Sequence, residues 1–218
     1  MNRMARVAPG SRDGRVATKA AGRQTRREGN GDLAKRAFDV AVAGPLLAAA
    51  APLMLGIALA VRLESPGPAL FRQERVGRDG RRFVLWKFRT MWAGTPTLPT
   101  DAMSGLPSPV TRVGKWLRRT SLDELPQLVN VLKGEMSLVG PRPALPMQAE
   151  LNAKRSACGV DGLLPGITGW AQINGRDDLD TDAKVAHDAW YLRHRSLALD
   201  LTILVRTLAP VASGRGNR

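Results

Sequence analysis

A run of 22 residues without a charge, Val40–Val61, constrains the fold of this chain more than any other feature. A straight helix of that length, at about 1.5 Å per residue, crosses the roughly 30 Å hydrocarbon layer of a bilayer. Pro52 lies near the middle of the run, where a proline removes a backbone hydrogen bond and bends a helix. The run therefore predicts a membrane helix that either spans the bilayer or turns back at Pro52.

Basic residues flank this run on both sides, in a chain whose formal net charge is +14. Residues 1–36 contain ten Lys or Arg and three Asp or Glu, and residues 62–89 contain eight and three. The positive-inside rule gives a spanning helix with two basic flanks no preferred orientation, whereas a re-entrant helix satisfies the rule at both ends. This distribution favours an anionic membrane surface over nucleic acid as the partner.

The chain of 218 residues is long enough for one domain together with a membrane element. Residues 1–31 contain almost no large apolar side chains, so we expect them to be a disordered basic tail. Residues 32–66 are predicted to form the membrane helix. Residues 67–218 are predicted to form a single membrane-associated domain.

Two adjacent carboxylates, Asp123 and Glu124, lie where a helical pattern of apolar residues begins. Ser121, three residues before Glu124, predicts a capping box at this helix start. Pro126 favours a later start, because proline costs nothing at the first helical position. With either start the two carboxylates lie near the positive end of the helix, which favours their ionised form and also binds phosphate oxygens.

Arginines surround the two carboxylates in sequence, with Arg118 and Arg119 before them and Arg142 in a Gly-Pro-Arg-Pro turn after them. Arg is the side chain best suited to grip oxyanions, Glu can bind a metal ion, and Asp can act as a nucleophile. The pattern is therefore typical of a site that handles phosphate. The alternative is a structural one, with a capping box at Ser121 and a solvated Asp123 that complements the helix dipole.

Three further regions predict local structure around this segment. The apolar residues 69–75 and 82–89 flank the turn dipeptide Asp79-Gly80 and predict a β-hairpin. Residues 112–119 place apolar and basic side chains on separate faces and predict an amphipathic helix, which lies either in the headgroup region or on the core. Residues 163–176 are rich in Gly and Pro and predict a loop that approaches a ligand with Gln172 and Arg176, or a tight structural loop.

Taken in order, the segments KRAFDV, FRQERVG, FVLWKFRTM, RRTSLDELPQLVNVLKGEMSLVGPRP and PGITGWAQINGR resemble the motifs of the bacterial sugar transferases, the monotopic phosphoglycosyl transferases. The resemblance covers about residues 33–210. It implies transfer of a sugar-1-phosphate from a UDP-sugar to polyprenyl (undecaprenyl) phosphate, with release of UMP. The implied location is the cytoplasmic face of the bacterial inner membrane, and the implied product starts an exopolysaccharide or another surface glycan.

The resemblance also implies roles for individual residues. Asp123 is expected to be the nucleophile that forms a covalent phosphosugar-enzyme, and Glu124 is expected to bind Mg²⁺. Pro52 is expected to break a re-entrant membrane helix, although the family's usual Ser before this proline is replaced by Ala51. The residues expected to bind substrate or phosphate are Lys87, Arg89, Arg118, Arg142, Gln172 and Arg176.

The predicted fold is α+β and mostly helical, with a re-entrant membrane helix hairpin, a small β-hairpin and interfacial amphipathic helices around a cytosolic-face active site in the catalytic domain 67–218. The expected partners are a UDP-sugar, polyprenyl phosphate and anionic lipid, with no nucleic acid. The sequence leaves a homo-oligomer, and the identity of the sugar, open.

Two alternatives come from other classes of protein. Asp178, Asp180 and Asp182 spell two overlapping DxD triplets, which metal-dependent glycosyltransferases use, although Asp180 is also explained as the N-cap of the helix that follows. A non-catalytic basic adaptor for membranes or nucleic acid is the other alternative. The adjacent Asp123 and Glu124 argue against an adaptor.

Overall fold

The computed structural model describes residues 12–95, 109–175 and 178–213, and it describes side chains between residues 31 and 207 within those ranges. The chain divides into two units, residues 1–37 and residues 38–218. The coarse fold prediction is confirmed, since the described residues form an α+β structure that is mostly helical.

The first element is a helix of 53 residues, α1 (Arg12–Glu64), which begins inside the stretch that the sequence predicts to be disordered. Its segment Gly31–Glu64 reaches a mean hydropathy of 2.1 and is long and apolar enough, by length and composition, to cross a membrane. The backbone stays helical through Pro52, because a proline removes only one hydrogen bond of the ladder. The structure therefore has one helix where the sequence predicts a hairpin of two limbs, and the re-entrant path stays a prediction.

A two-stranded antiparallel sheet follows α1, as the sequence predicts. Strands β1 (Leu70–Val76) and β2 (Arg82–Phe88) pair in register from Leu70 opposite Phe88 to Val76 opposite Arg82. Asp79 in the connecting turn has a φ of 55°, a left-handed conformation that Asp tolerates better than most residues. The Asp-Gly turn signal is thus confirmed.

Within the described residues, the remaining elements are six α-helices and a second pair of strands, which are parallel. Ser137 of one strand pairs with Gly166 of the other, and Val139 pairs with Thr168. The elements are α2 (Arg112–Thr120), α3 (Gln127–Lys133), β3 (Ser137–Val139), α4 (Ala149–Ala157), β4 (Gly166–Thr168), α5 (Trp170–Ile173), α6 (Thr181–His194) and α7 (Leu197–Ser213).

One face of α1 is built into the core of the second unit. Ala43 packs in the main cluster with residues of β2, α3, β3, α6 and α7, while Ile57 and Val61 pack with Phe88 and Leu117 in a second cluster. Asp39 of α1 is 1% exposed and accepts a hydrogen bond of 3.1 Å from the backbone N–H of Leu138. The same helix leaves Leu46, Leu53, Leu55, Leu59 and Leu63 exposed, so it presents an apolar surface away from this core.

Candidate active site

The two carboxylates lie in a separate short 3-10 turn, Leu122–Glu124, between α2 and α3. Ser121 is the residue after α2, with a left-handed backbone (φ 56°, ψ 16°) and no side-chain capping bond. Helix α3 begins at Gln127, directly after Pro126. The predicted capping box is therefore wrong and the later start is confirmed, because a proline at the start of a helix costs it no backbone hydrogen bond.

Glu124 lies between two cations that come from distant parts of the chain. Lys87 of β2 places Nζ 2.7 Å from Glu124 Oε1, and Arg142 of the Gly-Pro-Arg-Pro turn places Nη2 3.4 Å from the same oxygen. Burial by itself raises the pKa of Glu124, but the charges of Lys87 and Arg142 outweigh burial and lower this pKa to about 2. Glu124 is therefore a permanent anion at neutral pH.

Asp123 lies beside Glu124 but has the opposite pKa shift. Its side chain is buried, and this burial, together with the charge of Glu124, raises the pKa of Asp123 to about 6 against the lowering effect of Lys87, Arg118 and Arg142. Two neighbouring carboxyl groups with pKa values pushed apart are typical of a catalytic pair with divided roles. Asp123 is the more basic carboxyl group of the two.

Arg118 joins this group from α2, which packs closely on the end of the hairpin. A Cβ at Gly114 would lie 2.1 Å from the backbone oxygen of Thr90, so only glycine allows α2 to come this near. Arg118 then donates from Nε to Oγ1 of Thr90 over 2.9 Å. Burial lowers the pKa of Arg118, and the charge of Asp123 opposes that shift, which places Arg118 within electrostatic reach of the carboxylate.

Arg75 of β1 is a fourth cation of the site, which the sequence does not single out. It donates to the backbone oxygen of Pro143 over 3.0 Å, and its pKa falls to about 10 through burial and the charge of Arg142, against the opposing charge of Glu124. Arg75 and Lys87 line one small cavity with Arg142. The strand register places Arg75 on the same face of the hairpin as Lys87, because alternate residues of paired strands share a face. The predicted hairpin therefore already contained a signal for Arg75.

A buried ion pair supports the turn that carries Arg142. Arg155 of α4 donates from Nε and Nη2 to Asp188 Oδ2 of α6 over 3.0 and 2.7 Å, and from Nη1 to the backbone oxygen of Arg142 over 2.9 Å. Burial raises the pKa of Asp188, and the charge of Arg155 opposes this. Neither residue lies in a motif, so the sequence offers no signal for the pair.

Three predicted binding residues remain to be placed: Arg89, Gln172 and Arg176. Arg89 is buried and donates to the backbone oxygens of Ser65 and Pro66, so its guanidinium satisfies carbonyls at the end of α1. Arg89 therefore caps the end of this helix, and its expected role in substrate binding stays a prediction. Gln172 lies in α5, and its two buried amide atoms have no hydrogen-bond partner among the described residues. Arg176 lies outside the described residues.

Two carboxylates of the overlapping DxD triplets have structural roles instead. Asp180 is the N-cap of α6 and accepts a 2.7 Å hydrogen bond from the N–H of Ala183, which confirms the predicted cap. Asp182 pairs with Lys154 of α4. Within residues 31–95, 109–175 and 178–207, no three His, Cys, Asp or Glu side chains form a cluster that could hold a metal ion.

The carboxylate pair nevertheless fits Mg²⁺ shared with a substrate. Mg²⁺ is usually held by one or two carboxylates together with phosphate oxygens and waters, not by a complete cage of protein ligands. The three hydrogen bonds that Glu124 accepts, one from Lys87 and two from Arg142, all involve Oε1. Glu124, with the adjacent carboxylate, is thus a donor set suited to a metal ion that arrives with a diphosphate.

The carboxylate turn between α2 and α3 and the cations around it all lie in the part of the chain that matches a known family. The model of that family, described as bacterial sugar transferase, matches residues 30–214, and the chain belongs to this family.

Three relatives make the similarity more specific. The chain is 46% identical over 189 residues to an undecaprenyl-phosphate glucose phosphotransferase of Komagataeibacter xylinus, covering 81% of this chain and 35% of that protein. It is 44% identical over 188 residues to the UDP-glucose:undecaprenyl-phosphate glucose-1-phosphate transferase of Escherichia coli (strain K12), covering 81% and 39%. It is 43% identical over 189 residues to the uncharacterized sugar transferase EpsL of Bacillus subtilis (strain 168), covering 84% and 89%. The chain therefore spans less than half the length of the first two relatives and most of the third.

Proposed function

We propose that this protein transfers a sugar-1-phosphate from a UDP-sugar to polyprenyl phosphate, with release of UMP, and so starts a surface polysaccharide. The observation that carries the proposal is the pair of the buried Asp123 and the half-buried Glu124 among Lys87, Arg118 and Arg142. Both substrates are anions, and an anionic nucleophile attacks them only where cations offset the repulsion. The relatives named as undecaprenyl-phosphate transferases support the same chemistry.

The reaction proceeds in two displacements at one phosphorus atom. The Asp123 carboxylate attacks the sugar-bearing phosphorus, a bond forms between this phosphorus and the carboxylate oxygen, and the bond to UMP breaks. A phosphate oxygen of the polyprenyl phosphate then attacks the same phosphorus. The bond to Asp123 breaks, which releases the lipid-diphosphate sugar and restores the free carboxylate.

The cations have separate tasks in these steps. Lys87 and Arg142 hold Glu124 and lie where phosphate oxygens enter, and Arg118 offsets the charge beside Asp123. Arg can grip a phosphate with two parallel N–H bonds, which orients the phosphorus toward the nucleophile. Bound Mg²⁺, held by Glu124 and the substrate phosphates, supplies charge neutralisation.

The proposed setting is the cytoplasmic face of the bacterial inner membrane. A UDP-sugar comes from the cytosol, while the phosphate of a polyprenyl lipid lies at the headgroup plane. The apolar α1 supplies the membrane contact, and its two basic flanks suit a re-entrant path with both ends in the cytosol. Such a monotopic helix holds the carboxylate site at the plane where the two substrates meet.

The test is UMP release by the full-length protein in membranes, with polyprenyl phosphate and a panel of UDP-sugars that includes UDP-glucose. The proposal predicts release with at least one sugar, dependent on lipid phosphate over repeated turnovers. Release with none of the UDP-sugars, under conditions where the E. coli relative is active, would contradict the proposal.

A further inference from the structure

A cavity of about 310 Å³ adjoins the turn that carries Arg142. Its walls come from the end of the hairpin, the Pro141–Pro143 turn, α4 and the residues 160–165 that precede β4. Arg142 and Pro143 also line the small cavity that contains Lys87, so the same turn borders both spaces. A molecule in the larger cavity therefore lies beside the residue that contacts Glu124.

The volume of the cavity limits its occupant to one ring-sized group. Small-molecule sites commonly measure roughly 300–1,000 Å³, and a complete nucleotide sugar belongs in the upper part of that range. The cavity thus suits one end of such a substrate, either the sugar or the nucleoside. The remainder of the molecule would extend past Arg142.

The chemistry of the walls decides between these two ends. Most of the lining is apolar, including Pro141, Pro143, Val160, Leu163 and Pro165. A sugar presents hydroxyl groups around its whole edge, and each hydroxyl buried without a partner costs free energy. A pyrimidine has two apolar faces and polar atoms only along one edge, so it matches apolar walls with few polar side chains.

The cavity also contains polar side chains that can form hydrogen bonds with the polar edge of a pyrimidine. Asn152 of α4 donates from Nδ2 to the backbone oxygen of Leu145 over 3.1 Å, and Asp161 accepts at Oδ2 from Ser156 over 2.8 Å. These bonds hold both side chains in place at the cavity and involve only one polar atom of each. Asn152 Oδ1 and Asp161 Oδ1 are suitable acceptors for the ring N–H of a uracil.

We infer that this cavity binds the pyrimidine nucleoside of the donor and that Arg142 receives the phosphate that follows it. The inference rests on the proposed function and adds which part of the donor occupies which part of the protein. Arg142 then lies between the nucleoside and the carboxylate site, where it contacts both the diphosphate and Glu124. The Arg155–Asp188 pair, which holds the backbone of Arg142, fixes the distance between the two spaces.

The test is binding of UMP to the purified full-length protein, which needs no turnover. Ala153→Trp places a large side chain in the cavity from the exposed face of α4, and Ala157→Trp on the same helix is the matched control outside the lining. The inference predicts at least a tenfold weaker UMP affinity for Ala153→Trp and an unchanged affinity for Ala157→Trp. Ser156→Trp, also exposed and also part of the lining, should weaken UMP binding as well and replaces Ala153→Trp if that variant does not fold.

Unchanged UMP affinity in the folded variants would overturn the inference. Unchanged UMP affinity together with a new order of preference in the UDP-sugar panel would assign the cavity to the sugar instead. Failure of the proposed function looks different, because the parent protein would then turn over no UDP-sugar while its UMP binding still reports on the cavity.

Discussion

Arg155 and Asp188 form a buried ion pair, and the guanidinium of Arg155 also donates a hydrogen bond to the backbone oxygen of Arg142. The pair joins α4 to α6 across 33 residues of sequence and connects both helices to the turn beside Glu124. Removing one partner leaves the other charge buried without compensation, whereas removing both partners does not. The pair therefore positions the turn that carries Arg142, and each of its two charges needs the other in order to be buried without a large cost.

The first prediction follows from this dependence. Asp188→Leu alone should lower the free energy of unfolding by about 3–5 kcal/mol, because an unpaired guanidinium remains buried. The double variant Arg155→Met with Asp188→Leu should be more stable than this single variant, yet still show reduced kcat, since Arg142 loses its support. Chemical denaturation and UMP release measure the two effects. Strictly additive losses of stability in the double variant would show that the two residues are not coupled.

The second prediction separates Arg89 from Lys87, two cations that the sequence treats alike. Arg89→Met should lower the free energy of unfolding by about 1.5–3 kcal/mol, because carbonyls at the end of α1 lose a charged donor. The kcat/KM of the folded fraction should stay within a few-fold of the parent. A large rise in KM for the UDP-sugar in Arg89→Met, without loss of stability, would restore Arg89 to the binding site.

The third prediction concerns the cations of the site. Arg118→Ala, Arg142→Ala and Lys87→Met should each reduce kcat/KM roughly 10- to 100-fold, which corresponds to about 1.5–3 kcal/mol for a charge-assisted bond to phosphate. Arg82→Ala is the matched control, since Arg82 forms an exposed ion pair with Glu74 on the same hairpin. Steady-state kinetics with a saturating lipid acceptor measure the effect. Parent-like kinetics in all three variants would place the phosphate site elsewhere.

The fourth prediction tests the path of α1. Cysteines introduced at residues 23 and 79 in a Cys158→Ser background should both be shielded from an impermeant thiol reagent added to intact cells, because a re-entrant helix keeps both flanks in the cytosol. Labelling of the residue 23 cysteine alone would indicate a helix that spans the bilayer. Pro52→Ala should increase that labelling, because it restores the missing backbone hydrogen bond and favours a straight helix.

Features encoded over a few residues could be predicted from the sequence. The β-hairpin follows from an Asp-Gly turn between apolar strands, and the Asp180 cap follows from its position before a helical pattern. At Ser121 two local signals compete, and the constraint of Pro126 on the backbone prevails over the capping pattern.

Features that depend on the tertiary fold could not be predicted in this way. Arg89 follows Lys87 by two residues, but only the packing of α1 shows that its guanidinium reaches the end of that helix. Arg75 shares a hairpin face with Lys87, but only the structure shows that it also contacts the turn at Pro143. Arg155 supports the site through helix packing, which leaves no local signal. The motifs located the carboxylates and most of the cations around them, whereas the supporting contacts required the structure.

The most direct test of the central claim is exchange of labelled UMP into the UDP-sugar in the absence of any lipid acceptor. The account predicts exchange by the parent, because the first displacement at Asp123 is reversible and needs no lipid. Asp123→Asn should show no exchange while its unfolding midpoint stays close to that of the parent, and Asp79→Asn in the exposed hairpin turn should exchange normally. Exchange by Asp123→Asn within a few-fold of the parent, or lipid-dependent turnover by a parent that shows no exchange, would contradict a covalent intermediate on Asp123.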